Sequence, residues 1–167
     1  MIREATFDDL AQIEEIAIRA TKIMNSEGSD QWDKSYPTIT HFHSDIKAGS
    51  LFVYENEGHI IGAIAIDRSF APEYKSSTLR WETKQESSGT FHRLVVDPLA
   101  QKGGIAKALI LFAEQLFKSA GLLSLQVDTY SLNKKAQRLF EKLGYVNVGT
   151  LQFENKKMSF YGFEKKL

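Results

Sequence analysis

A glycine pair between a strand and a helix is the feature of this sequence best suited to chemistry. Gly103 and Gly104 follow an apolar run at 90–97 and Pro98, and a helical pattern begins directly after them. The first amides of a helix have no partner within the helix and lie at its positive dipole end, which suits a phosphate. A tight turn or close helix packing would need the same glycines. The neighbouring residues must therefore decide between these uses.

Two common phosphate loops do not match these residues. A P-loop needs Gly-x-x-x-x-Gly-Lys-Ser/Thr, and the sequence contains no such run. A dinucleotide-binding loop needs Gly-x-Gly-x-x-Gly and an acidic residue on the next strand. Asp128 could be that acid, but the glycine spacing is wrong. A dinucleotide-dependent oxidoreductase is therefore only a weaker alternative for this chain.

Two sequence blocks in matching order point to one family. Residues 101–106 match Gln/Arg-x-x-Gly-x-Gly/Ala, and residues 133–145 match Asn-x-x-Ala-x-x-Leu-Tyr-x-Lys-x-Gly-Phe, with phenylalanine at 140 and tyrosine at 145. The chain resembles the GNAT acetyltransferase superfamily, whose members bind acetyl-coenzyme A. The resemblance implies a single GNAT domain over residues 1–167. Its fold would be α/β, a mixed and mostly antiparallel sheet of six to seven strands with helices on both faces and a central β-α-β cofactor-binding unit.

The resemblance also implies which residues bind the cofactor. The strand before the loop would offer main-chain groups to the pantetheine arm, and the loop would wrap the pyrophosphate. Lys102 would add a positive charge there, or be a solvated surface lysine. Asn133 would reach the arm through its amide, or cap the helix that follows it. The expected cofactor-binding residues are Leu94, Val95, Val96, Gln101, Lys102, Gly103, Gly104, Ile105, Ala106, Asn133 and Phe140.

Acetyl transfer to an amine requires an oxyanion donor and a base. The backbone N–H of Leu94 is the expected donor, because a fixed amide dipole needs no reorganisation during the reaction. His92 is the candidate base, since it alone of the four histidines lies on this strand and an imidazole titrates near neutral pH. Strand alternation would put it on the same face as Leu94. A structural role is the alternative for His92, and Glu82 and Glu86 are more distant candidates.

Position 140 is the largest departure from the family. Many members carry a tyrosine there that protonates the departing thiolate, and Phe140 has no proton to give. A thiolate leaves tolerably without an acid, because thiol pKa values are close to neutrality when compared with alcohols. Tyr130 is the expected substitute, with Tyr145 as a second candidate. Both could instead be packing residues whose hydroxyls reach water.

The segment around the first two helices is expected to form the acceptor pocket. Trp32, Tyr36 and Phe42 would supply aromatic walls, or they would form a hydrophobic cluster under a loop. Asp30 and Asp33 could attract a cationic amine, although loop acids are commonly just solvated. The expected function is transfer of acetyl from acetyl-coenzyme A to a primary amine of a small molecule or peptide, by direct attack in a ternary complex. The alternative is a GNAT-like domain that binds coenzyme A or a partner without turnover.

Composition narrows the partners and the location. The 21 basic and 21 acidic residues balance, which argues against nucleic acid and anionic membranes as partners. No stretch approaches about 18 consecutive apolar residues, the start does not read as a signal peptide, and the cytoplasm is the expected location. The absence of cysteine excludes disulfides and thiolate catalysis, and His41 and His43 lack acidic ligands for a metal. An exposed edge of the closing hairpin could pair two copies into a homodimer.

Hydrophobic periodicity predicts the elements that position these residues. A Thr6 and Asp9 capping box precedes the first helix, and residues 90–128 read as a β-α-β unit with parallel strands and a right-handed crossover. The predicted elements are a strand at 2–5, a helix to Met24, a loop at 25–37, a helix at 38–48, a hairpin at 51–55 and 60–67, a loop or ragged strand extension at 68–88, a strand at 90–97, a helix at 104–120, a strand at 122–128, a helix at 133–143, and a hairpin at 145–153 and 158–163.

Overall fold

A computed structural model of the chain describes residues 1–100 and 103–167. The strands and helices are β1 (Ile2–Glu4), α1 (Leu10–Ser26), α2 (Ile39–Lys47), β2 (Leu51–Asn56), β3 (His59–Asp67), β4 (Ser88–Val96), α3 (Ile105–Ser119), β5 (Ser124–Tyr130), α4 (Lys134–Lys142), β6 (Val146–Leu151) and β7 (Phe160–Lys166). These strands form one mixed sheet in the order β1-β2-β3-β4-β5-β7-β6. The predicted α/β class with a mixed sheet is confirmed.

Contacts divide the chain into two compact units. Unit 1 comprises Met1–Ile66 and His92–Ala113, and unit 2 comprises Asp67–Phe91 and Glu114–Leu167. Strand β4 gives its first residues to unit 2 and its remaining residues to unit 1, whereas helix α3 gives its first residues to unit 1 and its last residues to unit 2. The candidate residues before Pro98 and those from Asn133 onward therefore belong to different units.

Unit 1 buries its helices on both faces of its strands. On one face, α1 and α2 pack against β2 and β3 through a core that includes Ile13, Ile16, Phe42, Val53 and Ala63. On the other face, α3 lies close to β3. A Cβ added at Gly62 would lie 3.0 Å from Ile105 Cγ2 and 3.2 Å from Leu109 Cδ1, so glycine permits the close approach of this helix.

The predicted capping box at the start of α1 is present. Thr6 N–H donates to Asp9 Oδ2 at 2.8 Å, and Arg3 donates to both Asp9 carboxylate oxygens at 2.8 and 2.9 Å. These contacts hold a short 3-10 turn, Phe7–Asp9, from which α1 continues. The hydrogen bonds from Arg3 lower the pKa of Asp9 below its ordinary value, although burial opposes them.

Unit 2 holds the parallel pair of the predicted β-α-β unit. Strands β4 and β5 pair in parallel at Ser88 with Ser124 and at Gly89 with Leu125. Strand β7 lies between β5 and β6 and is antiparallel to both. Strand β7 runs to Lys166, beyond the predicted end at residue 163. The sequence pattern ended early because the strand closes with Glu164, Lys165 and Lys166, which carry no apolar alternation.

A buried carboxylate holds residues 82 and 83 of the segment 68–87, for which the sequence left a loop or a strand extension open. The segment contains 3-10 turns at Pro72–Lys75 and Gln85–Ser87. Glu164 of β7 is buried, and its carboxylate accepts hydrogen bonds from the amides of Glu82 at 2.7 Å and Thr83 at 3.0 Å. It also accepts from the side chains of Ser124 and Gln126, each at 3.2 Å.

Candidate active site

Strand β4 is interrupted at the position between the two candidate catalytic residues. Arg93 has a φ of +47°, in the left-handed region that disfavours side chains. Within the described parts of the chain, Glu57 is the other non-glycine residue with positive φ, and it lies in the turn between β2 and β3, where such a φ is ordinary. A left-handed residue inside a strand breaks the pleat and turns the following side chains.

The left-handed turn lies between His92 and Leu94. Strand alternation puts residues i and i+2 on one face only where the residue between them is extended. Arg93 is not extended. Alternation therefore does not place His92 and Leu94 on a shared face, because Arg93 lies between them.

Two side chains hold Arg93 through three hydrogen bonds, and we call Tyr36, Asp45 and Arg93 the Arg93 clamp. Arg93 Nε donates to Asp45 Oδ2 at 2.7 Å, and Nη2 donates to Asp45 Oδ1 at 2.6 Å. Its Nη1 donates to the Tyr36 hydroxyl at 3.0 Å. Burial lowers the pKa of Arg93, but the hydrogen bonds to Asp45 and the interactions with Tyr36 outweigh it, so the pKa lies above its ordinary value. The guanidinium is thus a half-buried, bidentate cation with a fixed plane.

The remaining candidates on β4 lie beside the clamp. His92, Leu94 and Val96 are half-buried, and Val95 is buried. His92 immediately precedes the left-handed Arg93 and Leu94 immediately follows it, so the amide directions there differ from those of a regular strand. The roles predicted for the His92 side chain and the Leu94 amide stay predictions.

The glycines that open α3 face open space. Gly104 has a φ of +85°, and a Cβ added at Gly103 or Gly104 would meet no atom within 4 Å. Ile105 is buried and begins the 15-residue helix α3, and Ala106 is half-buried. Close packing therefore does not explain the glycine pair, whereas backbone conformation at Gly104 does. Gln101 and Lys102, the first residues of the predicted loop, lie outside the described residues.

An ion pair that sequence reasoning missed fixes the end of β4. Arg19 of α1 donates to Asp97 Oδ1 at 3.2 Å and Oδ2 at 2.8 Å, and Asp97 Oδ1 also accepts from the Leu99 amide at 3.0 Å. Burial raises the pKa of Asp97, but these hydrogen bonds outweigh it and the pKa is lowered. The carboxylate thus ties the turn after β4 to helix α1.

In unit 2, Asn133 and Phe140 have structural partners. Asn133 Oδ1 accepts from the Ala136 amide at 3.1 Å and so caps α4, as one of its two predicted uses requires. Phe140 is 3% exposed and its ring packs against Phe91, Tyr145 and Phe163. The phenylalanine at the motif's tyrosine position is therefore part of an aromatic core.

The two tyrosines considered as acids are also buried in unit 2. Tyr130 is fully buried, and its hydroxyl accepts from the Met158 amide at 3.2 Å. Burial raises the pKa of Tyr145 well above its ordinary value, and the Glu114 carboxylate adds to the shift. These surroundings favour the packing alternative for both, and the acid role of Tyr130 stays a prediction.

Comparison with known proteins decides the family. Residues 11–145 match the sequence profile of the Acetyltransferase (GNAT) family. The chain belongs to the GNAT acetyltransferase family. A structure from Staphylococcus aureus Mu50, provisionally described as an acetyltransferase, is 30% identical, with a TM-score of 0.76 and coverage of 99% of this chain and 98% of that chain. Acetyl transfer is thus the chemistry of the family to which this chain belongs.

More distant GNAT structures share the fold. A GNAT acetyltransferase from Streptococcus agalactiae 2603 is 23% identical, with a TM-score of 0.86 over 100% of this chain and 95% of that chain. The PaiA N-acetyltransferase from Thermoplasma acidophilum, solved in complex with coenzyme A, is 18% identical, with a TM-score of 0.74 over 100% of this chain and 98% of that chain. No curated protein matches the sequence.

The aromatic residues predicted to line the acceptor pocket of this GNAT chain divide into two groups. Trp32 and Phe42 are buried in the core of unit 1. Tyr36 is half-buried and belongs to the Arg93 clamp. Asp33 Oδ1 accepts from the amide and hydroxyl of Ser35 at 2.7 and 2.6 Å, which is a local turn contact. Tyr36 thus accepts a hydrogen bond from Arg93 of β4, whereas Trp32 and Phe42 share a hydrophobic core with Val95 of that strand.

The clamp could have been found from the sequence by its charge. Arg93 is the one charged residue in the run Phe91–Val96, and a charge in a half-buried strand requires a partner. Asp45 carried no such signal, because an acid near the end of a short amphipathic helix is usually solvated. Its partnership with β4 became visible only once the chain was folded.

Membrane-spanning helices and metal-binding clusters were the remaining features considered for this GNAT chain. Across residues 1–100 and 103–167, no helix is long and apolar enough to cross a membrane. Within the same ranges, no cluster of three or more His, Cys, Asp or Glu side chains could hold a metal ion.

Proposed function

We propose that this GNAT protein is an N-acetyltransferase that moves acetyl from acetyl-coenzyme A to a primary amine of a small molecule or peptide. The amine would attack directly, with cofactor and acceptor bound together. The observation that carries this proposal is the interrupted strand β4, where the Leu94 amide follows a left-handed residue held by two side chains. A backbone amide held in a fixed direction suits an oxyanion that forms and collapses during acyl transfer.

The residues around the glycine pair fit an anionic pyrophosphate. The open space at Gly103 and Gly104 and the start of a 15-residue helix are what a phosphate needs. We propose that the amides of Gly103, Gly104, Ile105 and Ala106 bind it. Gln101 and Lys102 join them through the motif alone. Backbone groups of Leu94, Val95 and Val96 would pair with the pantetheine arm.

Bound acetyl-coenzyme A supplies a thioester carbonyl that is ready for attack. We assign the Leu94 N–H to stabilise the oxyanion and the His92 imidazole to remove the proton from the attacking ammonium, directly or through water. Asn133 and Phe140 occupy the family's motif positions, and contact of either with the cofactor is the weaker part of the proposal. Tyr130 remains our proposed source of a proton for the thiolate. Since thiol pKa values are about 8.5, the thiolate can also leave unprotonated.

A second function has an observation in its favour. Phe140 has no hydroxyl, so this motif position cannot serve as an acid. Its ring is packed among other aromatic rings. That change suits a domain that binds coenzyme A or a partner without turnover. A homodimer through β6, at the end of the sheet order, and a cytoplasmic location remain further predictions.

One experiment separates the two functions. Free thiol released from acetyl-coenzyme A is followed across primary amines, polyamines, amino acids and peptides between pH 6 and 9, while calorimetry measures coenzyme A affinity. We expect acetyl-coenzyme A binding and amine-dependent release. Binding without release for any amine would favour the binding domain. Thermal protection by NAD but not by acetyl-coenzyme A would instead favour an oxidoreductase.

A further inference from the structure

We propose that the Arg93 clamp positions the Leu94 amide for acetyl transfer by holding β4 in its left-handed turn. Arg93 is then a positioning residue, one step removed from the reacting atoms. This inference rests on the proposed function, because it assigns a purpose to the backbone geometry that the proposed reaction uses. It couples the side chains of Asp45 in α2 and Tyr36 in the preceding loop to one backbone amide of β4.

The backbone of Arg93 is strained. Arg93 adopts φ of +47° in the middle of an apolar strand, where an extended conformation is normal for every L residue. A side chain in the left-handed region persists only where its surroundings over-determine it. The three hydrogen bonds of the guanidinium supply this constraint. The turn is therefore maintained by the side chain of the same residue that suffers the strain.

Asp45 and Tyr36, the partners of Arg93, are held by contacts of their own. Asp45 is buried, and its backbone carbonyl accepts from the Ser50 amide at 2.9 Å and the Ser50 hydroxyl at 3.1 Å. The backbone of Tyr36 exchanges two hydrogen bonds with Asp33 at 3.0 and 3.3 Å, and its ring meets His41 edge-on at 4.9 Å. Both partners are thus fixed by contacts of their own, so the guanidinium docks on a formed frame.

The ion pair with Asp45 argues against a direct role of Arg93 in substrate recognition. Both oxygens of Asp45 bind the guanidinium, so the charge of Arg93 is already compensated within unit 1. A second anion would have to compete with this bidentate pair. The clamp therefore acts through the backbone of β4, one residue before Leu94.

The test compares glycine with alanine at position 93. Both variants remove the side chain, but glycine enters the left-handed region freely and alanine does not. We expect Arg93→Ala to lower kcat of acetyl transfer by about thirtyfold or more, and Arg93→Gly to recover about five- to thirtyfold of that loss. KM for acetyl-coenzyme A should change by less than about threefold in both. Arg93→Lys, which keeps the charge but not the fork, should fall between them.

Two controls separate positioning from stability. Arg3→Ala removes another arginine that forms a bidentate pair in unit 1, with Asp9, and should lower Tm while leaving kcat near wild type. Arg19→Gly and Arg19→Ala address a helical site, where alanine should be the more stable of the two. The preference for glycine over alanine should be found at position 93 alone. All rates are measured at least 15 °C below the lowest Tm of the set.

Each outcome decides the inference. Equal kcat for Arg93→Gly and Arg93→Ala at a temperature where both are folded overturns it, as does a loss confined to KM. If the wild type binds coenzyme A without turnover, the proposed function fails, and the clamp is then tested by the Leu94 amide in NMR spectra. The Leu94 shift and exchange rate should change more in Arg93→Ala than in Arg93→Gly. Equal changes would overturn the clamp independently of activity.

Discussion

Replacing Glu164 with glutamine should loosen residues 82 and 83 from β7. The Glu164 carboxylate is buried and accepts hydrogen bonds from four donors, namely the amides of Glu82 and Thr83 and the side chains of Ser124 and Gln126. Oε2 serves the Glu82 amide alone, and Oε1 serves the other three. The side-chain nitrogen of glutamine cannot accept a hydrogen bond. After the substitution, either the donor that faced Oε2 or the three donors that faced Oε1 must therefore face another donor.

The loss of stability is estimated for the orientation of the glutamine side chain that breaks the fewest hydrogen bonds. If the new NH₂ takes the place of Oε2, only the Glu82 amide loses its acceptor and faces a donor. A hydrogen bond to a charged group contributes about 1.5–3 kcal/mol, and an unsatisfied buried donor costs about 1–3 kcal/mol. We expect Glu164→Gln to lower the free energy of unfolding by about 2–3 kcal/mol. For a chain of this size, each kcal/mol lowers Tm by about 2–4 °C, which predicts a fall of about 4–12 °C.

The local assay is amide hydrogen exchange at Glu82 and Thr83. Exchange at these amides should accelerate by about thirtyfold or more, since about 1.4 kcal/mol corresponds to tenfold. Glu82→Gln is the matched control, because Glu82 is exposed and its ion pair with Lys166 lies on the surface. Unchanged exchange in Glu164→Gln, together with a wild-type Tm, would refute the assignment of the carboxylate as the anchor of residues 82 and 83.

Three further predictions concern single residues. Gly104→Asp should weaken acetyl-coenzyme A binding by about tenfold or more relative to Gly104→Asn, because both tolerate the φ of +85° but only the carboxylate repels a pyrophosphate; equal affinities by calorimetry would contradict the loop assignment. His92→Ala should remove the acidic limb of the pH–rate profile, and an unchanged profile would mean that water carries the proton instead. The pKa of folded Asp9 is lowered, so its stabilisation is present above the unfolded pKa of about 3.9 and is lost as pH falls through the folded pKa. Urea titrations of Asp9→Asn should therefore show a flatter loss of stability below about pH 4 than wild type, and equal slopes would exclude the Arg3–Asp9 pair as the cause.

The sequence predicted those elements whose signal is local. Helix α3 was expected at 104–120 and is Ile105–Ser119, and the capping box at Thr6 and Asp9 has its hydrogen bonds. Both signals depend on residues within a turn or two of one another. The segment 68–87 could not be predicted, because it is held by residues distant in sequence, such as Glu164 with the amides of Glu82 and Thr83, Asp128 with the Tyr74 hydroxyl and the Val148 carbonyl with the Arg80 amide. Its conformation follows from tertiary contacts rather than from its own composition.

The candidate site divides along the same line. The glycine pair was recognisable because a motif of six residues carries it, and Gly104 indeed needs its positive φ. The face of His92 was not predictable, because alternation assumes an extended residue at 93. Only the partnership with Asp45 and Tyr36 makes a left-handed arginine tenable there, and those partners come from other elements.

Arginine at position 93 determines β4 more strictly than glycine would. Glycine would remove the strain, but it would also leave the strand free to return to an extended conformation. With arginine, the guanidinium reaches Asp45 and Tyr36 from a left-handed backbone, so three partly buried hydrogen bonds oppose a strain of about 1–3 kcal/mol. A reaction whose proposed oxyanion donor is a backbone amide depends on the direction of that amide more than on any side-chain acid. The loss of the tyrosine at 140 is then tolerable, whereas a loss of order at residue 93 is not.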